Sequence, residues 1–306
     1  MREVVDFRIP EEKAAEYLSP ADGVFLGLGV RKVELPLEHP LVKKICSIHD
    51  RLEKKGDYLY LMSYLTRQYS QNELLEAEVL SVQIQHVVES AGEECGSVYD
   101  DSVSCDLCGA GGRLLSGLKL DSKRLPRRGK LCIAKSIAGE VVVTDEFRRM
   151  WEEHRLTGAS FHPVKCGDQT VPRWQHLVVD SPTIDVVEPT KTEDPFHKRS
   201  KTVDVPCETI GRRDFTYGSW CDVVGQYRCP RKDTIGIGVF SELWIEAPLP
   251  LMPDLAATRQ FVGVRRGLCR PERLLVCSQR FHQLFSASNF KGLKVEVAHL
   301  RNRREC

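Results

Sequence analysis

Apolar and polar positions alternate along the chain in short runs, broken by glycine and proline, which predicts many small elements. Leu41, Val42, Ile45, Ile48 and Leu52 recur at the spacing of one helix face, and Gly56 stands where such a helix stops. Tyr58 to Leu61 is short, aromatic and apolar and predicts a strand. Ser70-Gln71-Asn72-Glu73 reads as a capping box ahead of Leu74 and Leu75. Leu80, Val82 and Ile84 alternate with polar residues, as a half-buried strand does. Ala91 to Gly96 predicts a turn.

The strongest pattern comes twice. Val141-Val142-Val143-Thr144 leads into Phe147, Trp151, Leu156, Gly158, Phe161 and Val164. Leu275-Val276-Cys277-Ser278 leads into Phe281, Phe285, Phe290, Gly292, Val295 and Ala298, each displaced by 134 from its counterpart. Both stretches predict a short strand, a Thr or Ser N-cap, a helix with aromatic rings at i and i+4, a Gly C-cap and a second strand. The rings read as core. Together the stretches predict an internal β-α-β duplication.

Trp174 to Val179 and Leu243 to Glu246 predict further strands, and Thr258 to Gly267 a strand or loop. Residues 181–219, rich in Pro, Thr, Asp and Lys, read as a long irregular connection. The polar tail from Arg301 to Cys306 reads as frayed. The expected fold class is α+β, with internally duplicated β-α-β units and a zinc-knuckle insertion. The expected regions are an N-terminal α+β region (1–98), a knuckle with the first repeat (99–180), the connection (181–226) and the second repeat half (227–306).

Candidate chemistry centres on Cys105-Asp106-Leu107-Cys108-Gly109. Two cysteines three apart place both sulfurs on one side of a turn, and the glycine lets the backbone fold back so that amides face the thiolates. A structural zinc takes four ligands, so the chain must return to this turn. Cys229, before a proline and after an aromatic stretch, is the expected third ligand. Cys221 is the nearest choice for the fourth, with Cys207, Cys95 and Asp233 as the other candidates. Cys46, Cys132, Cys269 and Cys277 lie among apolar or helical neighbours and read as buried thiols.

The totals narrow the picture. The 306 residues suffice for one large domain or two ordinary ones, and 42% apolar content suits a packed core. No run of about 18 apolar residues occurs, so no membrane span is expected. Met1 to Asp6 has no apolar stretch of the secretory type, so a cytoplasmic location is expected. In that compartment the 12 cysteines read as reduced thiols plus a metal site rather than a disulfide framework. A net charge of +1 neither demands nor excludes nucleic acid. Lys123, Arg124, Arg127, Arg128 and Lys130 form a basic loop that reads first as solvated surface and second as a contact for phosphate or an acidic partner.

Catalytic signatures are absent. A redox Cys-x-x-Cys should open a helix, whereas Cys108 runs into Gly109-Ala110-Gly111-Gly112. There is no zinc-deaminase pattern, His-Glu-x-x-His, Gly-x-Ser-x-Gly or Walker loop. Ile235-Gly236-Ile237-Gly238 is too short for a dinucleotide fingerprint, and His154 and His282 read as structural or solvent-facing.

The knuckle, together with Cys95-Gly96, Ile137 to Val143, Trp174-Gln175, Tyr227-Arg228-Cys229-Pro230 and the second repeat, resembles the bacterial double-CxxCG motif family over residues 91–300. Some members are described as immunity proteins that neutralise a toxin. The resemblance implies a non-enzymatic, zinc-stabilised cytoplasmic protein whose partner is a cognate protein toxin. This chain holds one Cys-x-x-Cys-Gly; its second half offers Cys221 and Cys229 at a longer spacing. Two other classes compete with that expectation. One is a nucleic-acid-binding zinc-ribbon protein using Lys123 to Lys130 and Arg265 to Arg270. The other is an enzyme, for which no catalytic set can be named.

Overall fold

A computed structural model of the chain describes residues 1–126, 129, 131–191, 229, 231–236, 239, 241–247 and 251–301. Cys207, Cys221, Arg127, Arg128, Lys130, most of the 181–219 connection and the last five residues lie outside the described residues. The chain forms two units, residues 1–73 and 74–306.

In the first unit Val5, Phe7 and Ile9 alternate with Asp6 and Arg8, which makes β1 (Arg2–Pro10) a two-faced strand with the apolar face buried. α1 (Glu11–Tyr17), β2 (Val24–Phe25), β3 (Val30–Pro36), α2 (Pro40–Glu53) and β4 (Met62–Gln68) follow. The strands make an antiparallel sheet in the order β2-β3-β1-β4. Helix α2 buries Val42, Ile45, Ile48 and Leu52, the face its spacing predicts. Tyr58 to Leu61 is not a strand. The amides of Leu59 and Tyr60 turn to the ring of His49, which stacks on Tyr60 at 3.8 Å, and both residues plug the core. The capping box forms as expected: Ser70 N–H donates to Glu73 and Glu73 N–H donates to the Ser70 hydroxyl, starting α3 (Gln71–Glu76).

The second unit begins with Leu74. The sequence placed a boundary at 98, but β5 (Val79–Ile84) lies in the middle of this unit's sheet. Next come β6 (Val87–Val88), the ribbon β7 (Tyr99–Asp100) with β8 (Arg113–Leu114), and β9 (Ile133–Ser136). The first repeated stretch forms β10 (Val141–Thr144), α4 (Asp145–Glu153) and β11 (Ala159–Cys166), followed by β12 (Gln169–Val179). After β13 (Leu243–Glu246) and β14 (Leu255–Val262), the second forms β15 (Glu272–Ser278), α5 (Gln279–Ala287) and β16 (Leu293–Arg301). The two five-stranded sheets are ordered β11-β12-β10-β9-β6 and β13-β16-β5-β15-β14.

The two stretches share their detail. Thr144 caps α4 by accepting from Phe147 N–H, and Ser278 caps α5 by accepting from Phe281 N–H. Each first and last strand flanks an antiparallel partner in the same register: Val141 opposes Leu177 as Leu275 opposes Val82, and Ala159 opposes Val179 as Leu293 opposes Ile84. That partner is β12 in the first case and β5 in the second. The first follows β11 directly in the chain; the other comes from the start of the unit.

The glycines do not cap the helices. The left-handed residues after α4 and α5 are Arg155 and Asn289, at φ 49° and 53°. Gly158 and Gly292 serve a close approach: a Cβ at Gly158 would collide with the Leu255 carbonyl oxygen, and one at Gly292 with that of Ile133. Each stretch thus abuts the strand beside the other. The rings meet in one core, with Phe147 6.1 Å from Phe281 and Trp151 5.7 Å from Phe281.

Candidate metal centre

The ribbon β7–β8 carries Cys105 and Cys108 at its tip. Cys105 N–H donates to Ala110 O (2.7 Å) and Gly109 N–H donates to Cys105 O (2.8 Å), which closes the turn. Gly109 has φ 73°, and a side chain there would collide with Arg265. Cys229 opens a second turn, in which its N–H donates to Thr234 O (3.1 Å) and Lys232 N–H donates to Cys229 O (2.8 Å). The end of β14 joins the two. Phe261 N–H donates to Asp233 O, and Arg265 N–H donates to Cys108 O, both at 2.8 Å.

The sulfurs of Cys105, Cys108 and Cys229 lie within 4.8 Å of one another and are buried, and those of Cys105 and Cys229 are 3.5 Å apart. A disulfide would need about 2.05 Å. A tetrahedral ion with Zn–S bonds of about 2.3 Å separates its sulfurs by roughly 3.8 Å, so the three sulfurs fit around one ion with small adjustments. Amides and a hydroxyl surround them. Those of Cys108 and Leu107 face the Cys105 sulfur, that of Ala110 faces Cys108, and those of Arg231 and Asp233 face Cys229. The Thr234 hydroxyl donates to the Cys108 sulfur at 3.1 Å. Such donors favour thiolate over thiol and hold ligands in place for a cation.

Burial raises the thiol of Cys105 and pushes that of Cys108 up to about 12. Burial also opposes ionisation of Cys229, but the neighbouring Cys105 sulfur and the Arg231 and Asp233 amides outweigh it and lower that thiol. An ion bound here must displace protons from the first two, and its positive charge supplies what burial removes. The described residues can therefore hold a metal ion with three sulfur ligands.

Cys95 is not part of the cluster; its sulfur lies 3.3 Å from the Ser90 hydroxyl. Nor is Asp233, whose carboxylate faces Arg231. Cys132 and Cys277 are buried thiols as expected. Cys269 is exposed and Cys46 half-buried, because Cys269 sits in a tight turn with Arg266 and Cys46 on the flank of the apolar stripe of α2.

Sequence reasoning missed Thr234 and the charged brace beside the turn. Thr234 stands five residues after Cys229, as Ala110 does after Cys105, and that spacing was the available signal. In the brace, Arg265 and Arg270 both pair with Asp101 and Glu93, and Arg270 lies 4.0 Å over the Tyr99 ring. Arg270 above all holds the Asp101 carboxyl down at about 2. These arginines are directed inward, at acidic groups of their own chain. In the basic loop, Arg124 donates to Glu89 O and pairs with Asp121 at 3.6 Å.

A second polar group lies beneath the brace. The Glu140 carboxylate accepts from Gly92 N–H, the Tyr99 hydroxyl and the Ser136 hydroxyl. Burial raises both the Glu140 carboxyl and the Tyr99 phenol. All three donors come from the protein, so this group locks β7 and the β9–β10 turn together. No helix among the described residues is long and apolar enough to cross a membrane. No protein-family model matches the chain, and a search of curated proteins finds no significant match.

Proposed function

We propose that this is a metal-stapled binding protein. Zn2+ held by Cys105, Cys108 and Cys229 fixes one corner of an internally duplicated α+β body, and the body acts by occupying a partner protein rather than by turning over a substrate. The observation that carries the metal is the convergence of three buried sulfurs from turns 124 residues apart, ringed by N–H and O–H donors. The duplication draws support from the shared caps, registers and reciprocal glycine contacts of the two β-α-β stretches. The ion's role is structural: it ties the β7–β8 ribbon to the end of β14.

The partner half rests on the resemblance to the double-CxxCG family, whose described members include immunity proteins. On that reading the partner is a cognate protein toxin in the cytoplasm, and specificity sits in loops such as 123–130 and 181–219. The nucleic-acid alternative draws less support, because Arg265 and Arg270 face Asp101 and Glu93 rather than outward phosphate. Co-expression with the product of the neighbouring gene tests the reading. Growth rescue that is lost when both loops are replaced is the expected result. A harmless neighbour, or rescue that survives loss of both loops, contradicts it.

A further inference from the structure

The two cysteine turns are built alike as far as their first cysteine. Cys105 and Cys229 each donate N–H to the carbonyl five residues on, at 2.7 and 3.1 Å, and each sulfur faces amides of its own turn. They part at the next ligand. In the first turn the residue three after the cysteine is Cys108, its sulfur is in the cluster, and the left-handed residue Gly109 follows. In the second the residue three after the cysteine is Lys232, which is itself left-handed at φ 64° and exposed. The second turn also closes one residue earlier, through Lys232 N–H to Cys229 O. A turn of that shape sends its fourth side chain to solvent instead of back toward the sulfurs.

We infer that the Cys229 turn is a knuckle short of one thiolate, and that the ion's fourth position is held by an exchangeable, non-sulfur ligand on the side of Lys232. This rests on the metal reading above and deepens it. Zinc sites closed by four protein ligands are inert scaffolds, whereas three protein ligands leave a position for water or another small donor. Cys-x2-Cys presents two sulfurs to one ion; the Cys-x7-Cys spacing from Cys221 to Cys229 matches no such turn. Three thiolates on a divalent ion leave one net negative charge, and the exposed Lys232 of the same turn is a cation three residues from Cys229, whereas Arg231 pairs with Asp233. The ligand class is a small single-donor molecule, neutral or anionic, with imidazole as the probe.

The experiment uses the full chain loaded with Co2+, whose visible spectrum reports the number of thiolates and the coordination geometry. Four proteins are compared: the native chain, Cys207→Ser, Cys221→Ser, and a graft carrying Arg231→Leu, Lys232→Cys and Asp233→Gly, which copies Leu107-Cys108-Gly109 onto the second turn. The expected result is that both serine variants keep the native spectrum and that imidazole shifts the native ligand-field bands. The graft should gain sulfur-to-cobalt intensity, lose its response to imidazole and hold zinc roughly tenfold or more tightly. Loss of sulfur-to-cobalt intensity in either serine variant overturns the inference while leaving the metal reading intact. So does a native spectrum indifferent to imidazole. Failure of the native chain to take up cobalt overturns both. If the graft does not fold, the serine variants and the imidazole titration still decide.

Discussion

The aromatic body of the second unit and its cysteine corner are held by different means. The body packs Phe147, Trp151, Leu156, Phe281 and Phe285 with Leu80, Ile133, Val143 and Leu255 into one core. Burying a side chain of that size contributes about 1.5–3 kcal/mol each. In the corner the buried residues are Cys105, Cys108, Ala110, Cys229 and Val264. Ordering a turn costs roughly 1–2 kcal/mol per residue, and buried Ala110 and Val264, with partly buried Leu107 and Phe261 packed against them, offer little apolar area to a loop running from Asp101 to Gly112. The Arg265 and Arg270 pairs brace the loop; the more exposed Arg265 pairs add about 0–1 kcal/mol apiece, and Arg270, itself nearly buried, pairs with the partly exposed Asp101 and Glu93. On the proposed reading a bound ion would supply the missing energy, since structural zinc is worth on the order of 10–16 kcal/mol in small sites. The comparison separates a region that depends on apolar area from one proposed to depend on coordination.

The largest effect should come from Cys105→Ser. It is expected to abolish metal binding and to loosen the corner, so that protease cuts between Asp101 and Gly112 while the aromatic near-ultraviolet signal of the body persists. Simultaneous collapse of both regions would break the comparison. Phe281→Ala should do the reverse, lowering the stability of the body by about 3–5 kcal/mol in a denaturant titration with metal content unchanged. Loss of metal in that variant would show that the two regions are not separable.

Acid sharpens the contrast. Burial, with the charge of His162 adding to it, lowers His176 to about 4. A half-buried, desolvated histidine of this kind stays neutral in the fold while the unfolded chain takes up a proton. Its contribution is therefore complete above pH about 6.5 and is lost as pH falls toward 4, up to about 3 kcal/mol. His176→Gln should flatten the dependence of melting on pH across that window. Zinc affinity should fall over the same range for a different reason, because Cys105 and Cys108 must shed protons to bind, and the substitution should leave that trend unchanged. The smallest effect is expected for Thr234→Val, which removes the donor to Cys108 and should weaken metal binding roughly 10–100-fold with no change in the body.

Much of this could be read from the sequence, for physical reasons that differ by region. The β-α-β stretches are local: strand, cap, helix and ring spacing all lie within a few turns of chain, so their residue types announce them. The partner strand of the second stretch was not legible as such. β5 was visible as alternation at Leu80, Val82 and Ile84, but nothing in that alternation names β15 and β16 as its neighbours. β1 carries the same kind of signal in the alternation of Val5, Phe7 and Ile9 with Asp6 and Arg8. Tyr58 to Leu61 misled because apolar content alone does not separate a strand from a core plug held by His49. In the cysteine cluster the spacing of Cys105 and Cys108 pointed to two of the sulfurs that come together, and the proline and aromatic flank of Cys229 pointed to the third. The inward commitment of Arg265 and Arg270 depends on Glu93 and Asp101, more than 160 residues away in sequence, and no local pattern encodes it.

The central claim is that coordination, not apolar burial, holds the cysteine corner. The most direct test is the metal content and melting of full-length protein prepared without added metal, measured before and after a chelator. About one zinc per chain is expected, with chelation lowering the melting temperature and exposing Cys105, Cys108 and Cys229 together to a thiol reagent. A folded protein free of zinc, whose melting and thiol reactivity are the same with and without the chelator, would contradict the account.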